Sequence, residues 1–196
     1  MIKKTDSQFN KPLYILYPGE FYATKEDCVI STVLGSCMAV CLFDVAKRIG
    51  GMGIFIVPGT IGTSGIISDA IASKGIGDIE LLLGEIVKIG GDRRYLKAKI
   101  FGAGYPADSS SQMEQVMNSN IKFIYEYFTL ENMTVERSDL GGEFRRRLYF
   151  FPWTGKVYRN ILQNNEESSE FIKLEQEYID SEFRQKEKFG RVILFD

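Results

Sequence analysis

The hydrophobic positions of this chain follow two periods, and the points where one gives way to the other divide it into elements. Residues 29 to 33, 38 to 43 and 53 to 57 are short apolar runs rich in β-branched side chains, which predicts three strands of one buried sheet. The small-residue turn Gly35-Ser36 separates the first two and puts Cys37 just past a tight bend, while the polar residues 44 to 48 separate the second from the third. Residues 60 to 77 mix Gly, Ser and Ile without a period and read as a loop, and from Ile76 the spacing becomes helical. Ile79, Leu82, Leu83, Ile86 and Val87 share one face, with Asp78 and Glu80 in the first turn and Gly90-Gly91 as the stop signal.

The remainder continues in the same way. Residues 96 to 101 predict a strand, and 120 to 130 an amphipathic helix with Ile121, Ile124, Tyr125 and Phe128 inward. Strands follow at 134 to 138, 145 to 151 and 156 to 162, the last two joined by the hairpin signal Pro152-Trp153-Thr154-Gly155. Residues 166 to 188 keep helical spacing through Phe171, Leu174, Tyr178 and Phe183, and 191 to 195 predict a terminal strand. Strands and helices mix without regular βαβ alternation, so the expected class is α+β, a mixed sheet or sandwich core flanked by helices. One domain over 1–196 is expected, with a core from about 20 to 162 and a C-terminal extension over 163–196.

Composition narrows the chemistry. With 44% hydrophobic and 26% charged residues the chain is of the globular type, and a net charge of -2 gives no general attraction to nucleic acid. The apolar runs are far too short to span a bilayer and the N-terminus has no signal-like core, so a cytoplasmic protein without membrane insertion is expected. Cys28, Cys37 and Cys41, an odd set of three, do not make a disulfide framework and fall short of a four-ligand zinc site; no metal or cofactor is expected. The chain contains no histidine, which removes the ordinary Ser-His-Asp and Cys-His arrangements in any fold.

Gly35-Ser36-Cys37 is the one segment with the makings of a nucleophile site. Small neighbours let a substrate carbonyl approach, and the N–H groups of a turn can stabilise its oxyanion. Taken alone, a cysteine in such a tripeptide is more often a small buried hydrophobe than a nucleophile. Asp139-Leu140-Gly141-Gly142 reads as a structural turn, Arg145-Arg146-Arg147 as mostly solvated, and the Glu-rich stretch after Asn164 as a solvated helix face.

The segment Thr32-Val33-Leu34-Gly35-Ser36-Cys37-Met38-Ala39-Val40-Cys41-Leu42-Phe43-Asp44 resembles the nucleophile segment of the chemoreceptor glutamine deamidase (CheD) family of bacterial chemotaxis. Further blocks are similar in order and spacing: Ile49-Gly50-Gly51-Met52 with Phe55 and Pro58, Gly77-Asp78 with Glu80-Leu81-Leu82, residues 97 to 102, Asp139 to Gly142 with Arg146-Arg147, and residues 150 to 157. The resemblance spans about residues 20 to 162 and implies hydrolysis of selected glutamine side-chain amides on chemoreceptor helices to glutamate and ammonia. It implies Cys37 as nucleophile, Gly35 and Ser36 as its binding turn, and Ser31 in place of the family's orienting threonine hydroxyl. As partners it implies the cytoplasmic helices of methyl-accepting chemoreceptors and, as a second kind of contact, a chemotaxis response-regulator phosphatase.

The chain departs from that family at the base. The histidine expected seventeen residues after the cysteine is Ile54, which neither accepts nor donates a proton. Gly102-Ala103-Gly104 replaces a Gly-Gly-Ala-like run, and Met117 replaces a glycine three residues before Asn120. Three readings follow: a cysteine-dependent deamidase slowed by loss of that base or using another group in its place; a non-catalytic module that binds receptor helices or the phosphatase; and, behind these, a redox or acylation site at Cys37, which would need a depressed thiol pKa.

Overall fold

The computed structural model describes residues 1–58, 70–106, 111–162 and 169–189. Among the described residues ten strands and three α-helices form two five-stranded mixed sheets with helices against them, the α+β architecture expected, with no closed barrel. In chain order the strands are β1 (Ile2–Asp6), β2 (Lys11–Ile15), β3 (Phe21–Thr24), β4 (Val29–Leu34), β5 (Met38–Asp44), β6 (Ile49–Phe55), β7 (Lys97–Gly102), β8 (Thr134–Leu140), β9 (Arg145–Phe151) and β10 (Lys156–Leu162). The helices are α1 (Ala70–Lys88), α2 (Ser111–Leu130) and α3 (Ser169–Phe189). One sheet runs β1-β2-β4-β9-β10 and the other β3-β6-β5-β7-β8, so β4 does not share the single sheet expected for it with β5 and β6: the chain passes from the first sheet to the second through residues 35 to 37.

Strands β4, β5 and β6 are buried along their whole length, which is why they read as continuous apolar runs rather than alternating ones. Strand β9 does alternate, burying Arg146, Leu148 and Phe150 against Leu34, Thr32 and Ile30 of β4. A single core joins these side chains to β5, β6, β7 and the apolar faces of α1 and α2.

Several expectations are corrected. Strands β1, β2 and β3 were not anticipated, because their residues are partly exposed and lack a β-branched run. β6 begins at Ile49 rather than Gly53: a side chain on Gly51 would meet the Tyr22 carbonyl oxygen at 2.6 Å, so the glycines admit a close neighbour instead of ending the strand. Of the loop expected over 60 to 77, residues 59 to 69 lie outside the described ones and 70 to 77 are the first turns of α1. Gly75 does not break that helix; a Cβ there would come within 2.6 Å of Val57 and 2.7 Å of Phe123, so its bareness lets α1 press onto the core. α2 starts at Ser111, not at Asn120, and the strand expected over 191 to 195 lies outside the described residues.

Arg146 is not solvated as the charge run suggested. Fully buried, it donates to the carbonyl oxygens of Asp139 and Gly141 and pairs with the Asp139 carboxylate at 3.3 Å. Burial lowers its pKa from the ordinary arginine value. The guanidinium therefore pins the turn between β8 and β9, whose backbone in turn supports the residues under Cys37. Replacing it by an apolar side chain of similar length leaves the buried Gly141 carbonyl and the partly buried Asp139 carbonyl without their donor, so Arg146→Met is expected to cost about 3 kcal/mol in urea unfolding.

Candidate active site

The bend between β4 and β5 is held from below by backbone alone. Strand β7 ends at Gly102, and the next two residues donate back to the bend: Ala103 N–H to the Cys37 carbonyl at 3.0 Å and Gly104 N–H to the Gly35 carbonyl at 2.9 Å. This strap is fixed by the pinned turn, since Gly141 N–H donates to Gly102 O at 2.9 Å and Tyr105 N–H to Gly142 O at 3.0 Å. Gly102 sits at φ +102 with room for no side chain, because a Cβ would lie 2.1 Å from the Cys37 carbonyl oxygen. Ala103 has φ +48, a left-handed conformation that costs a non-glycine residue about 1 kcal/mol.

With both carbonyls engaged below, the N–H groups of Gly35 and Cys37 converge above on one atom. The Oε1 of Glu175, carried by α3, accepts from Gly35 N–H at 3.0 Å and from Cys37 N–H at 2.9 Å. Glu175 is buried, and a side chain on Gly35 would strike its second oxygen at 2.4 Å. The remaining contacts of α3 frame the same spot. The Tyr178 ring lies on Gly19, Phe171 packs tilted against Tyr17 with centroids 5.0 Å apart, Ile179 enters the core, and Glu182 pairs with Lys74 at 3.4 Å.

Cys37 is wholly buried beneath this helix. Burial first, then the Glu175 carboxylate through its charge and hydrogen bond, with Glu182 adding, raise the thiol well above its ordinary value of 9.0. The other cysteines are free and buried too; burial pushes Cys28 up to about 12.

Ile54 lies on β6 opposite Ala39, two residues past Cys37, and is buried. That is one diagonal step across the strand pair from the cysteine, within reach of a long side chain but occupied by an aliphatic one. Its backbone is bound by Glu20 and Gly19, each at 3.0 Å. Ser31 is buried in the middle of β4, on the face shared with Tyr149 and Arg147 rather than on the inner face. Among the described residues no hydrogen bond joins its hydroxyl to Cys37. Gly35 and Ser36 are where the sequence put them, in the bend.

Sequence reasoning missed Glu175 and Tyr178 and assigned the Glu-rich stretch to solvent, which the burial of Glu175 and Glu182 corrects. The signal was present. Counting from Phe171, helical spacing puts Glu175 and Glu182 among Tyr178 and Ile179 on the apolar stripe, where an acidic residue needs a partner. Asn120, in the middle of α2, is a second buried polar group: it brackets Val57, accepting from its N–H at 2.8 Å and donating to its carbonyl at 2.9 Å, and so fixes the end of β6. Met117, three residues earlier, is buried in the core.

The arrangement is a cysteine at a bend whose two N–H groups are aimed at one oxygen, the geometry that stabilises the oxyanion of an acyl-transfer step. Comparison with known proteins agrees in kind. Residues 72–160 match the family described as CheD chemotactic sensory transduction. A probable chemoreceptor glutamine deamidase CheD of Shewanella oneidensis is 37% identical over 152 residues, 78% of this chain and 73% of that protein. One from Chromobacterium violaceum is 38% identical over 173 residues, 88% of this chain and 84% of its own, and one from Paraburkholderia xenovorans is 36% identical with 83% and 65% covered. The chain belongs to the CheD family. No helix among the described residues is long and apolar enough to cross a membrane.

Two outcomes follow from the geometry. A thiol raised well above 9.0 is protonated at neutral pH, so Cys37 alkylation in the intact protein should be slow at pH 7 and still rising at pH 9; a plateau below pH 8 would contradict it. Under the bend, Gly102→Ala should cost more than about 3 kcal/mol in denaturant unfolding, whereas Ala103→Gly should gain about 1 kcal/mol by relieving the left-handed conformation.

Proposed function

We propose that this chain is a cytoplasmic chemotaxis protein that binds the helices of methyl-accepting chemoreceptors and carries a cysteine-dependent glutamine deamidase site with impaired turnover. The observation that carries this reading is the convergence of the Gly35 and Cys37 N–H groups on a single carboxylate oxygen beside the cysteine. A glutamine amide carbonyl held there would have its developing negative charge stabilised at the carbon that the Cys37 sulfur attacks. The S–C bond forms, ammonia leaves with the proton it needs, and water then hydrolyses the thioester to a glutamate carboxylate.

Impairment follows from the proton inventory. A thiol must lose its proton to attack, and the family's histidine is replaced by Ile54. Loss of a general base typically costs ~10²- to 10⁴-fold in rate. The acidic groups from α3 around Cys37 make matters worse in this arrangement, because negative charge beside a thiol disfavours the thiolate. Ser31 would orient a base only if one were present. A second reading is supported by the same facts: a binding module that keeps the family surface and holds receptor helices, or a response-regulator phosphatase, without turnover.

Mass spectrometry of a purified chemoreceptor cytoplasmic fragment incubated with the protein separates the two, since each glutamine converted to glutamate adds about one dalton. Slow, cysteine-dependent conversion that Cys37→Ala abolishes is the expected result. Binding of the fragment without conversion would favour the module. In Ile54→His, with an imidazole one diagonal step from Cys37, conversion should rise by about 10²-fold.

A further inference from the structure

The Gly35 and Cys37 N–H groups are already occupied, and the occupant is a glutamate on a helix. Its Oε1 takes both donors at 3.0 and 2.9 Å, and its second oxygen lies against the bare Gly35. A glutamate side chain is what hydrolysis of a glutamine amide leaves behind. The neighbours of Glu175 supply what would hold a helix in that pose: Tyr178, three residues on, lies over Gly19 and packs against the core, and Ile179, four residues on, enters the core. Residues three and four apart share one helix face, so Glu175, Tyr178 and Ile179 form a single docking stripe. Glu182 extends it by one further turn to Lys74 of α1.

Burial energetics argue that this is a fitted contact. Taking a carboxylate out of water is costly unless it is hydrogen-bonded, and Glu175 is only 8% exposed with two backbone donors on one oxygen. The rest of α3 is peripheral, with Lys173, Gln176, Glu177 and Asp180 exposed, as expected of an element that can leave without dismantling the core.

We propose that the bend is a binding site for a glutamyl side chain presented on one face of a helix, and that α3 fills it in cis as a tethered product, closing the site until another helix displaces it. This rests on the deamidase-site reading for the meaning of the occupant, but occupancy itself is a separate claim with its own test. The occupant has the chemistry of the product, so the helix that replaces it carries glutamine or glutamate at the same point, with an aromatic residue three positions on and an aliphatic one four positions on.

The experiment is alkylation of all three cysteines in the full-length protein by iodoacetamide at pH 8, resolved by peptide mass spectrometry. Glu175→Ala should raise the rate at Cys37 by about tenfold or more, because two charge-assisted hydrogen bonds holding α3 down are lost. Cys28 and Cys41, buried elsewhere in the core, should keep their wild-type rates. Glu175→Gln, whose amide oxygen accepts the same two bonds, should stay closer to wild type than Glu175→Ala, and Glu177→Ala on the exposed side of α3 should change nothing. Both variants lose the carboxylate charge that disfavours the thiolate, so the excess of Glu175→Ala over Glu175→Gln reports the opening of α3; an unchanged Cys37 rate in Glu175→Ala, or Glu175→Gln as reactive as Glu175→Ala or more so, would overturn the proposal.

If Glu175→Ala loses its fold, with all three cysteines reacting together, the wild-type protein decides. Its Cys37 must then react through the opening of α3 alone, with weaker urea dependence than Cys41, and equal dependence for the two overturns the proposal. Exposure of Cys37 in the variant, with no binding or conversion of a chemoreceptor fragment, would leave cis occupancy standing and remove the deamidase-site reading instead.

Discussion

A bend whose flanking carbonyl oxygens are taken on one side offers the N–H groups of the same residues on the other. At Gly35 and Cys37 the strap from Gly102 to Gly104 takes both carbonyls, and this backbone-to-backbone approach is what the rest of the site depends on. It requires a residue without a side chain at Gly102, because the Cys37 carbonyl oxygen stands where a Cβ would be. It also requires the chain to leave one sheet and enter the other at this point, since a bend within a sheet would spend the same N–H groups on a neighbouring strand.

Support for the strap comes from groups that carry no chemistry themselves. Arg146, from a strand of the opposite sheet, fixes the carbonyls of Asp139 and Gly141, and the Gly141 N–H then fixes Gly102. A buried cation on the inner face of β9 is costly by itself, and its retention is intelligible once its donors are seen to hold the loop on which the bend rests. Asn120 does similar work for the end of β6, standing in as a strand partner for Val57.

Much of this was legible in the sequence, for reasons that can be named. β4, β5 and β6 announced themselves because they are buried on both faces, and the bend because Gly-Ser-Cys interrupts two such runs. That no histidine serves as a base was readable at once, since the chain contains none. The first turns of α1 were hidden because Gly75 and Gly77 look like punctuation, whereas Gly75 serves close packing on Val57 and Phe123. The glutamate in the bend was hidden for a different reason. Its partners are 138 and 140 residues away, and local pattern reports that an acidic residue interrupts an apolar stripe without saying what it meets. Arg146 was misread because a run of three arginines suggests solvent, although strand alternation had already put the middle one on the face of Leu148 and Phe150.

The peripheral position of α3 has a consequence for affinity. A ligand belonging to the chain it binds acts at an effective concentration on the order of millimolar, whatever the protein concentration in the cell. The strength with which any outside helix associates is then a ratio, set as much by how well α3 holds its place as by the contacts the newcomer makes. Substitutions on the solvent side of α3 that alter only its helical propensity would change that ratio without touching the bend, so the responsiveness of the site can drift while its chemistry stays fixed.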